Sequence, residues 1–205
     1  MFCIAASLRE ISDKYRAKKT FLDVGCGDGS RTAIFNAHGR TVWGIDRMVW
    51  LADGVRKHIR FVQADFMEGR LAFEDGSFDL IFSFDVIEHL KEPSVMLDEM
   101  RRLLKKDGVL IISTPNRNRI CGFILQAAGL RKFPFYPDEG TREFDPYAWH
   151  YREYTAGELR RFLRAEGFET VVTRKIFYGL PGRAGLATCF SLPLYHNIIL
   201  ECRKR

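Results

Sequence analysis

The sequence predicts an α/β fold in which a mostly parallel, doubly wound sheet carries helices on both faces. Short and almost continuous apolar runs, such as 21–24 and 78–83, end in glycine or in acidic residues, and such runs are typical of strands buried on both faces. Between them lie helix-like segments, and the segment 94–104 places its apolar residues on one face. Strands that alternate with helices at this spacing indicate a parallel sheet covered on both sides.

Each element is predicted in turn from its local pattern. The predicted strands cover 21–24, 41–45, 59–63, 78–83, 109–113, 169–177 and 195–202. The predicted helices cover 30–38, 48–57, 94–104 and a last one that begins near 155. For that last helix, Thr155 and Glu158 match a capping box, and Gly167 should end it.

The length of the chain limits its organisation. A chain of 205 residues can form one sizeable core but is too short for two ordinary catalytic domains, so we expect a single domain over 1–205. The segment at about 115–153 is rich in proline and aromatic residues and has no steady period beyond a helix predicted at about 120–130. Long segments of this kind often form lids or binding loops, and we expect a lid insertion there.

Composition indicates the cellular compartment and the kind of partner. The five cysteines are odd in number and far apart, with no C-x-x-C pair, which argues against a disulfide framework and a structural zinc site. We therefore expect a reducing, cytoplasmic setting. No apolar run is long enough to cross a bilayer, and no signal peptide is predicted at the N-terminus. The net charge of +6 favours an anionic partner only weakly, because the basic residues are spread along the chain.

A glycine loop, LDVGCGDGS, follows the first predicted strand. Its glycines stand at 25, 27 and 29, whereas a nicotinamide-binding loop, G-x-G-x-x-G, would need its third glycine where Ser30 stands. Asp23 precedes the turn, where a carboxylate would repel a pyrophosphate but would suit an amine or a hydroxyl. The loop therefore favours a ligand with an amine over a diphosphate, and a plain tight turn is the alternative.

Carboxylates also follow the second and third predicted strands. Asp46 comes 17 positions after Gly29, where doubly wound folds commonly hold ribose hydroxyls; the alternative is an N-cap of the next helix. Asp65 and Phe66 could flank an adenine, with Asp65 accepting from its exocyclic amine and Phe66 stacking on it. The alternative is a turn aspartate and a core phenylalanine.

The stretch FDLIFSFDVIEHL places Asp85, Glu88 and His89 just beyond the end of a predicted strand. Open α/β sheets bind ligands at that edge. A histidine beside two carboxylates is a candidate base, because they can orient it and favour its charged form. The same three groups could hold a divalent cation, but without a further ligand we predict no metal.

These motifs, together with QADF, LKKDGVLIISTPN and HYREYTAGEL, resemble the class I S-adenosylmethionine-dependent methyltransferases. The likeness covers roughly 20–168 and is greatest to the small-molecule branch that includes the ubiquinone- and menaquinone-biosynthesis methyltransferases. It implies a seven-stranded, Rossmann-like sheet with a C-terminal antiparallel hairpin. It also implies S-adenosylmethionine as the cofactor and S-adenosylhomocysteine as its product.

The resemblance further assigns roles to residues of this chain. It implies that Asp23 and the backbone of Gly25, Cys26 and Gly27 contact the methionine part of the cofactor. It implies that Asp46, with Arg47 beside it, contacts the ribose, and that Asp65 and Phe66 contact the adenine. Ser83 and Phe84 would lie beneath the methionine and the ribose. One departure from the family is Phe66, where a small or acidic residue is more usual.

The expected reaction is methylation of a small molecule, with an oxygen atom favoured. His89 is the first candidate for a base and His150 the second; the alternative for His150 is a residue packed among aromatics at the start of a helix. The apolar lid and the loop 178–193 suggest a hydrophobic acceptor reached from a membrane surface, and ordinary packing of these loops is the alternative.

Two rival functions follow from the same sequence. The basic charge prompts an RNA methyltransferase, but FDVIEH stands where adenine-N6 enzymes carry an N-P-P-Y type motif, and no Pro-Cys catalytic pair is present. Nucleic acid is therefore not the expected partner. The other rival is a homologue that binds the cofactor without turnover, which the intact glycine loop and the Glu88–His89 pair disfavour.

Overall fold

In the computed structural model, seven strands form one sheet in the order β3-β2-β1-β4-β5-β7-β6. The structure describes residues 2–119, 129, 150–176 and 195–205. The strands are β1 (Thr20–Val24), β2 (Thr41–Asp46), β3 (Arg60–Gln63), β4 (Phe78–Phe84), β5 (Leu104–Pro115), β6 (Phe168–Ile176) and β7 (Asn197–Lys204). The α-helices are α1 (Phe2–Lys14), α2 (Pro93–Leu103) and α3 (Ala156–Ala165).

The strand pairing confirms the predicted fold class. Strands β1 to β5 pair in parallel, whereas β7 runs antiparallel to both β5 and β6. The predicted C-terminal antiparallel pair is therefore present. The chain order reverses between β1 and β4, which are neighbours in the sheet. A ligand crevice is expected outside the carboxyl ends of the strands at such a reversal.

Alternation along the central strands divides the core between the two faces of the sheet. Leu22 and Ile81 belong to one buried apolar cluster, and Phe21 and Leu80 belong to another. Because neighbouring side chains on a strand point to opposite faces, each central strand contributes to both clusters. This explains why the strands read as nearly continuous apolar runs.

Two of the predicted helices are wrong. Within 30–38 only a 3-10 helix over Thr32–Phe35 forms, and 48–57 contains turns but no α-helix. The first segment ends at His38 and Gly39, which both have positive φ. The second carries Asp53-Gly54 in its middle, and these residues have low helix propensity.

The other boundaries shift by small amounts. Helix α2 begins one residue early, with a proline in its first turn, a position that proline favours. Leu104 belongs to β5, and Asp107-Gly108 lies within that strand at a register irregularity rather than ending an element. The capping box at Thr155 is present, and Gly167 follows α3 with a φ of 85°. Helix α1 was not predicted.

Several predictions fall where the structure gives no description. The helix predicted at about 120–130, most of the lid insertion predicted at about 115–153, and the loop 178–193 lie outside the described residues. The two ends of the insertion are described, and they meet: Asn116 and Tyr154 form a parallel bridge. Among the described helices, none combines the length and the apolar character that crossing a membrane would need.

Candidate active site

The loop after β1 is shaped by glycine. Gly25 has a φ of 78°, and a Cβ added to it would lie 2.5 Å from Val86 Cγ2. A larger residue would therefore meet both an unfavourable backbone conformation and a steric clash. The N–H groups of Gly25 and Cys26 donate to the carbonyl oxygen of Ile45 at 2.9 and 3.0 Å. The end of β2 thus holds the loop in place.

Gly27 is the glycine of this loop that opens onto free space. Its φ is 54°, and no described atom beyond its chain neighbours lies within 4 Å of a Cβ built on it. Its N–H donates to Asp46 Oδ2 at 2.9 Å, and Asp46 Oδ1 accepts from the N–H of Met48 at 3.1 Å. Each carboxylate oxygen keeps a further lone pair for a ligand. The alternative role of Asp46 as a helix N-cap is excluded, because no helix follows it.

A cavity of about 650 Å³ lies beside this loop, at the carboxyl ends of the strands. Six of the predicted cofactor residues line it: Gly25, Gly27, Asp46, Arg47, Asp65 and Phe66. The predicted base His89 lines the same cavity, together with Lys91 and Tyr151. The volume and the mixed polar and apolar lining suit a small organic ligand.

Asp23 does not line the cavity but is buried in β1 next to the glycine loop. Its Oδ2 accepts a hydrogen bond from the hydroxyl of Thr32. Its Oδ1 is buried and has no hydrogen-bond partner in the described part of the chain. Burial raises the pKa of Asp23 to about 7, although the bond from Thr32 opposes the shift. A cationic amino group in the neighbouring cavity would stabilise the charged form of this carboxylate, so the site fits an amine-bearing ligand.

Three other predicted cofactor residues lie away from the cavity lining. The Cys26 side chain packs in an apolar cluster with Leu51 and Ile59, and its N–H is bonded to the sheet. Ser83 is buried and donates its hydroxyl to the carbonyl oxygen of Val24 at 2.8 Å. Phe84 belongs to the aromatic core on the other face. Their predicted contacts with the cofactor stay predictions.

Asp85 has a structural role at the edge of the cavity. It has a φ of 58°, which aspartate tolerates better than most residues. Its Oδ1 accepts from Ser113 Oγ at 2.8 Å and from Asn197 Nδ2 at 2.9 Å, and its Oδ2 accepts from Arg31 Nη1 at 2.7 Å. The carboxylate therefore ties β4 to β5, to β7 and to the glycine loop region.

Glu88 is fully buried, and only one of its two carboxyl oxygens has a hydrogen-bond partner among the described residues. Its Oε2 accepts from the hydroxyl of Thr114 at 3.0 Å, whereas its Oε1 has no hydrogen-bond partner among the described residues. Burial, reinforced by the negative charge of Asp85, raises the pKa of Glu88 to about 8. At neutral pH this side chain is mostly a protonated acid.

The two candidate bases lie against each other. The rings of His89 and His150 pack edge to face, with centroids 4.9 Å apart. His150 Nδ1 lies 2.9 Å from Glu153 Oε1, and Arg119 binds both oxygens of Glu153 at 2.8 and 2.9 Å. Only His89 of the two histidines lines the cavity, so His150 lies next to the base rather than next to the ligand space.

A metal ion could be held by a set different from the one considered from the sequence. Ligand atoms of Glu88, His89 and His150 lie within 4.8 Å of one another. Asp85 is not part of this set and already binds three donors. The absence of a metal stays a prediction.

Other lining residues were not predicted as site residues. They include Asp28, Trp50, Met67, Val86, Leu90 and Lys91. Most are one or two positions away from a predicted site residue, so a window around each strand end would have found them. Tyr151 also lines the cavity; it follows His150 in the motif HYREY, and no other pattern in the sequence indicates its position.

Comparison with known proteins assigns the chain to a family. The family described as Methyltransferase domain matches residues 3–173, and the chain belongs to it. A probable S-adenosylmethionine-dependent methyltransferase of Mycolicibacterium smegmatis is 33% identical over 174 residues, covering 83% of this chain and 58% of the relative. A ubiquinone biosynthesis O-methyltransferase of Actinobacillus pleuropneumoniae is 32% identical over 139 residues, covering 63% of this chain and 59% of the relative. The chain thus spans less than three fifths of the length of these curated relatives.

Solved structures share the fold. The 1,6-didemethyltoxoflavin-N1-methyltransferase of Burkholderia thailandensis, crystallised with 1,6-didemethyltoxoflavin and S-adenosylhomocysteine, superposes with a TM-score of 0.67 at 20% identity. The match covers 98% of this chain and 77% of that one. The predicted family resemblance and the methyltransferase fold are therefore confirmed.

Proposed function

We propose that this chain transfers the methyl group of S-adenosylmethionine to a hydroxyl group of a small molecule. The observation that carries the proposal is one cavity lined by Gly27 and Asp46 and also by His89. The residues that we propose for the nucleoside and the candidate base therefore line the same ligand space. Family membership supports the activity, and the name of the O-methyltransferase relative supports an oxygen acceptor.

The residues beside the glycine loop fit the cofactor. Asp46 would accept from the ribose hydroxyls, and the open face at Gly27 lets the backbone approach the ligand. Asp65 and Phe66 would flank the adenine, and the unpaired oxygen of Asp23 would stabilise the amino group of the methionine part. When bound, S-adenosylmethionine supplies a methyl group that its sulfonium has already activated for displacement.

The chain itself has to align the acceptor, exclude water and accept one proton. His89 takes the hydroxyl proton, and the acceptor oxygen bonds to the methyl carbon while the carbon–sulfur bond breaks and leaves its electron pair on sulfur. General-base assistance of this kind contributes about 10²–10⁴-fold. Apolar lining from Val86 and Leu90 supports an acceptor with an apolar or aromatic body.

Two glycines provide a matched test of the cofactor site. Gly27 and Gly39 both have positive φ, at 54° and 66°, and both face open space, but only Gly27 lines the cavity. Gly27→Ala and Gly39→Ala should lower stability alike, by about 1 kcal/mol, because of the same backbone strain. Only Gly27→Ala should weaken S-adenosylhomocysteine binding, by about tenfold in calorimetry. Equal affinities in the two variants, or no binding by the native chain, would overturn the proposal.

The acceptor class is tested with simple probes. Methyl transfer from tritiated S-adenosylmethionine is measured for catechol, aniline and benzoate at equal concentrations. We expect labelled product from catechol, and a loss of about 100-fold or more in His89→Gln with unchanged S-adenosylhomocysteine affinity. Labelling of aniline or benzoate alone would exclude oxygen transfer to a hydroxyl. Cofactor binding without transfer to any of the probes would favour the non-catalytic homologue.

The RNA alternative can be tested in the same assay. A cluster of basic residues lines a separate hollow at the start of β5 and the end of β7, at the opposite end of the strands from the cavity; its members are Lys18, Arg102, Lys106, Arg203, Lys204 and Arg205. RNA bound in that hollow would not bring a nucleobase to His89. We expect no label in total RNA, and labelled RNA with a steep salt dependence of binding would revive this rival.

An apolar acceptor also suggests where the chain meets it. Met48, Val49 and Trp50 are consecutive and exposed, at 45%, 50% and 58%, and Trp50 also lines the cavity. We propose that this segment makes a peripheral contact with membranes. The native chain should co-sediment with phosphatidylglycerol vesicles at low salt, and Trp50→Ser should lose most of that binding. No binding by the native chain would exclude the contact.

A further inference from the structure

A row of side chains leads away from the cavity behind the candidate base. His89 lines the cavity, and the ring of His150 packs edge-on against it at 80°. The Nδ1 atom of His150 lies 2.9 Å from Glu153 Oε1. The imidazole that contacts the base is therefore itself held by a carboxylate.

Glu153 is in turn held by a guanidinium. Its side chain is 3% exposed, and Arg119 donates from Nη1 to Oε2 at 2.9 Å and from Nη2 to Oε1 at 2.8 Å. Paired N–H bonds of this kind fix the orientation of a carboxylate as well as stabilising its charge. Arg119 lies near the start of the predicted insertion and Glu153 at its end, 34 positions apart, so the contact exists only in the folded chain.

This arrangement determines the tautomer of His150. A charged carboxylate can only accept hydrogen bonds, so His150 Nδ1 must carry the proton that lies between them. In the neutral ring the lone pair is then on Nε2. Nitrogen atoms of His150 and His89 lie within 4.8 Å of each other, and two hydrogen bonds of about 2.8 Å through one water or one hydroxyl can span that gap.

We propose that Glu153 and Arg119 are positioning residues of the methyl-transfer site. They fix His150 in one tautomer and one orientation against His89, so that the two rings form a single preorganised acceptor for the hydroxyl proton. The arrangement has the logic of a base oriented by a carboxylate. The proposal rests on the proposed function, because it concerns the proton that O-methylation releases.

The chain offers a matched control for a purely structural role. Arg117 pairs with Glu158 at 2.8 Å and joins the same two parts of the chain as Arg119 and Glu153 do, but neither member of that pair contacts a histidine in the described structure. Arg119→Gln and Arg117→Gln each remove one guanidinium–carboxylate contact. If the contact between Arg119 and Glu153 only held the chain together, the two substitutions would have similar effects on stability and on activity.

The kinetic test uses the native chain, Glu153→Gln and both arginine variants with catechol, or with whichever hydroxyl probe is methylated. Glu153→Gln and Arg119→Gln should lower kcat about 100-fold with little change in the KM for the acceptor, and Arg117→Gln should keep kcat within about twofold. Glu153→Asp should restore part of the rate. A native kcat in Glu153→Gln would overturn the proposal.

A second measurement needs no turnover, so it separates this proposal from the function on which it rests. Nitrogen-15 spectra should show the Nδ1–H tautomer of His150 in the native chain and loss of that preference in Glu153→Gln, with His150→Asn providing the assignment. An unchanged tautomer would overturn the positioning role even if methyl transfer is confirmed. Activity that is lost in EDTA and restored by Mg²⁺ or Zn²⁺ would also overturn it, since the histidines would then be metal ligands. Native protein that transfers no methyl group would instead overturn the proposed function.

Discussion

Glu201 and Glu88 are both completely buried carboxylates, but their surroundings are opposite. Glu201, in the middle of β7, accepts hydrogen bonds from Lys14 Nζ, the Tyr15 hydroxyl and Arg174 Nε at 2.5, 2.6 and 2.9 Å. Burial alone would raise its pKa, but these donors outweigh burial and lower it. Glu88, next to the cavity-lining residue His89, has one oxygen without a hydrogen-bond partner among the described residues, and burial raises its pKa to about 8.

The difference distinguishes a carboxylate whose hydrogen bonds join parts of the fold from carboxyl groups that lack a described partner for one oxygen. Away from the cavity, Glu201 joins α1 to the sheet, and its oxygens are satisfied. Next to residues that line the cavity, Glu88 and Asp23 each have one buried oxygen without a hydrogen-bond partner in the described part of the chain. Unsatisfied buried polar atoms are uncommon and cost stability. Two of the three such atoms among the described residues lie near the carboxyl ends of β1 and β4, which fits groups held ready for a ligand or a proton; the third is Arg40 Nε.

The largest effect is expected from removing the satisfied charge. Glu201→Gln removes the buried charge that Lys14 and Arg174 share, and Arg174 then keeps only its exposed contact with Glu10. We expect the free energy of unfolding to fall by about 3 kcal/mol. Glu10, which is 67% exposed and accepts from Arg174 at 3.1 Å, provides the control, and Glu10→Gln should cost less than about 0.5 kcal/mol. Urea denaturation of both variants measures the difference. Equal losses would remove the distinction between the two kinds of carboxylate.

The buried carboxyl group of Glu88 should make the free energy of unfolding depend on pH. Glu88 titrates at about 8 in the folded chain and near 4.5 when unfolded, so between these values the folded state binds the extra proton. Its contribution to stability is fully present below pH 4.5 and is lost as pH rises through 8. The stability of the native chain relative to Glu88→Gln should therefore fall by about 2 kcal/mol between pH 5 and pH 7. A difference between the two proteins that does not change with pH would contradict the assignment.

The fold was largely predictable because the central strands are buried on both faces. Apolar runs such as 78–83 need no tertiary information to be recognised, and their order then implies the parallel sheet. The helices predicted at 30–38 and 48–57 are opposed by local breakers, His38-Gly39 and Asp53-Gly54, and also by contacts between residues distant in sequence. Thr32 bonds to Asp23, and the N–H of Ala52 donates to the carbonyl oxygen of Asp28 at 3.2 Å. Both segments therefore bond to the glycine loop region instead of continuing as helices.

The site was predictable where strand ends determine it, and not elsewhere. Asp46 and His89 follow β2 and β4 directly, so their place at the cavity follows from the topology. Arg119 and Glu153 are 34 positions apart, and no local pattern brings them together. The spacing of His150 and Glu153 in HYREY was a local signal that could have suggested their contact, but not the pairing with Arg119.

A smaller effect is expected at Asp85, the satisfied carboxylate on the cavity edge. Asparagine also tolerates its positive φ, so Asp85→Asn changes the charge and one acceptor but not the backbone. Because the carboxylate binds three donors, we expect a loss of about 1–2 kcal/mol in urea denaturation. Asp98→Asn, in an exposed pair with Arg101, should cost less than about 0.5 kcal/mol. If Asp85→Asn leaves the free energy of unfolding unchanged, hydrogen bonds to a carboxylate stabilise this protein only in its interior.

The smallest expected effect concerns Asp23, whose pKa of about 7 leaves it half protonated at neutral pH. A ligand ammonium group nearby would favour the charged carboxylate and lower that pKa. Binding of S-adenosylhomocysteine at pH 7 should therefore release up to about half a proton from this group. Calorimetry in two buffers with different ionisation enthalpies measures the release, and Asp23→Asn should abolish it. Proton release that persists in Asp23→Asn would show that another group titrates, and the unpaired oxygen of Asp23 would then be a cost of the fold rather than part of the binding site.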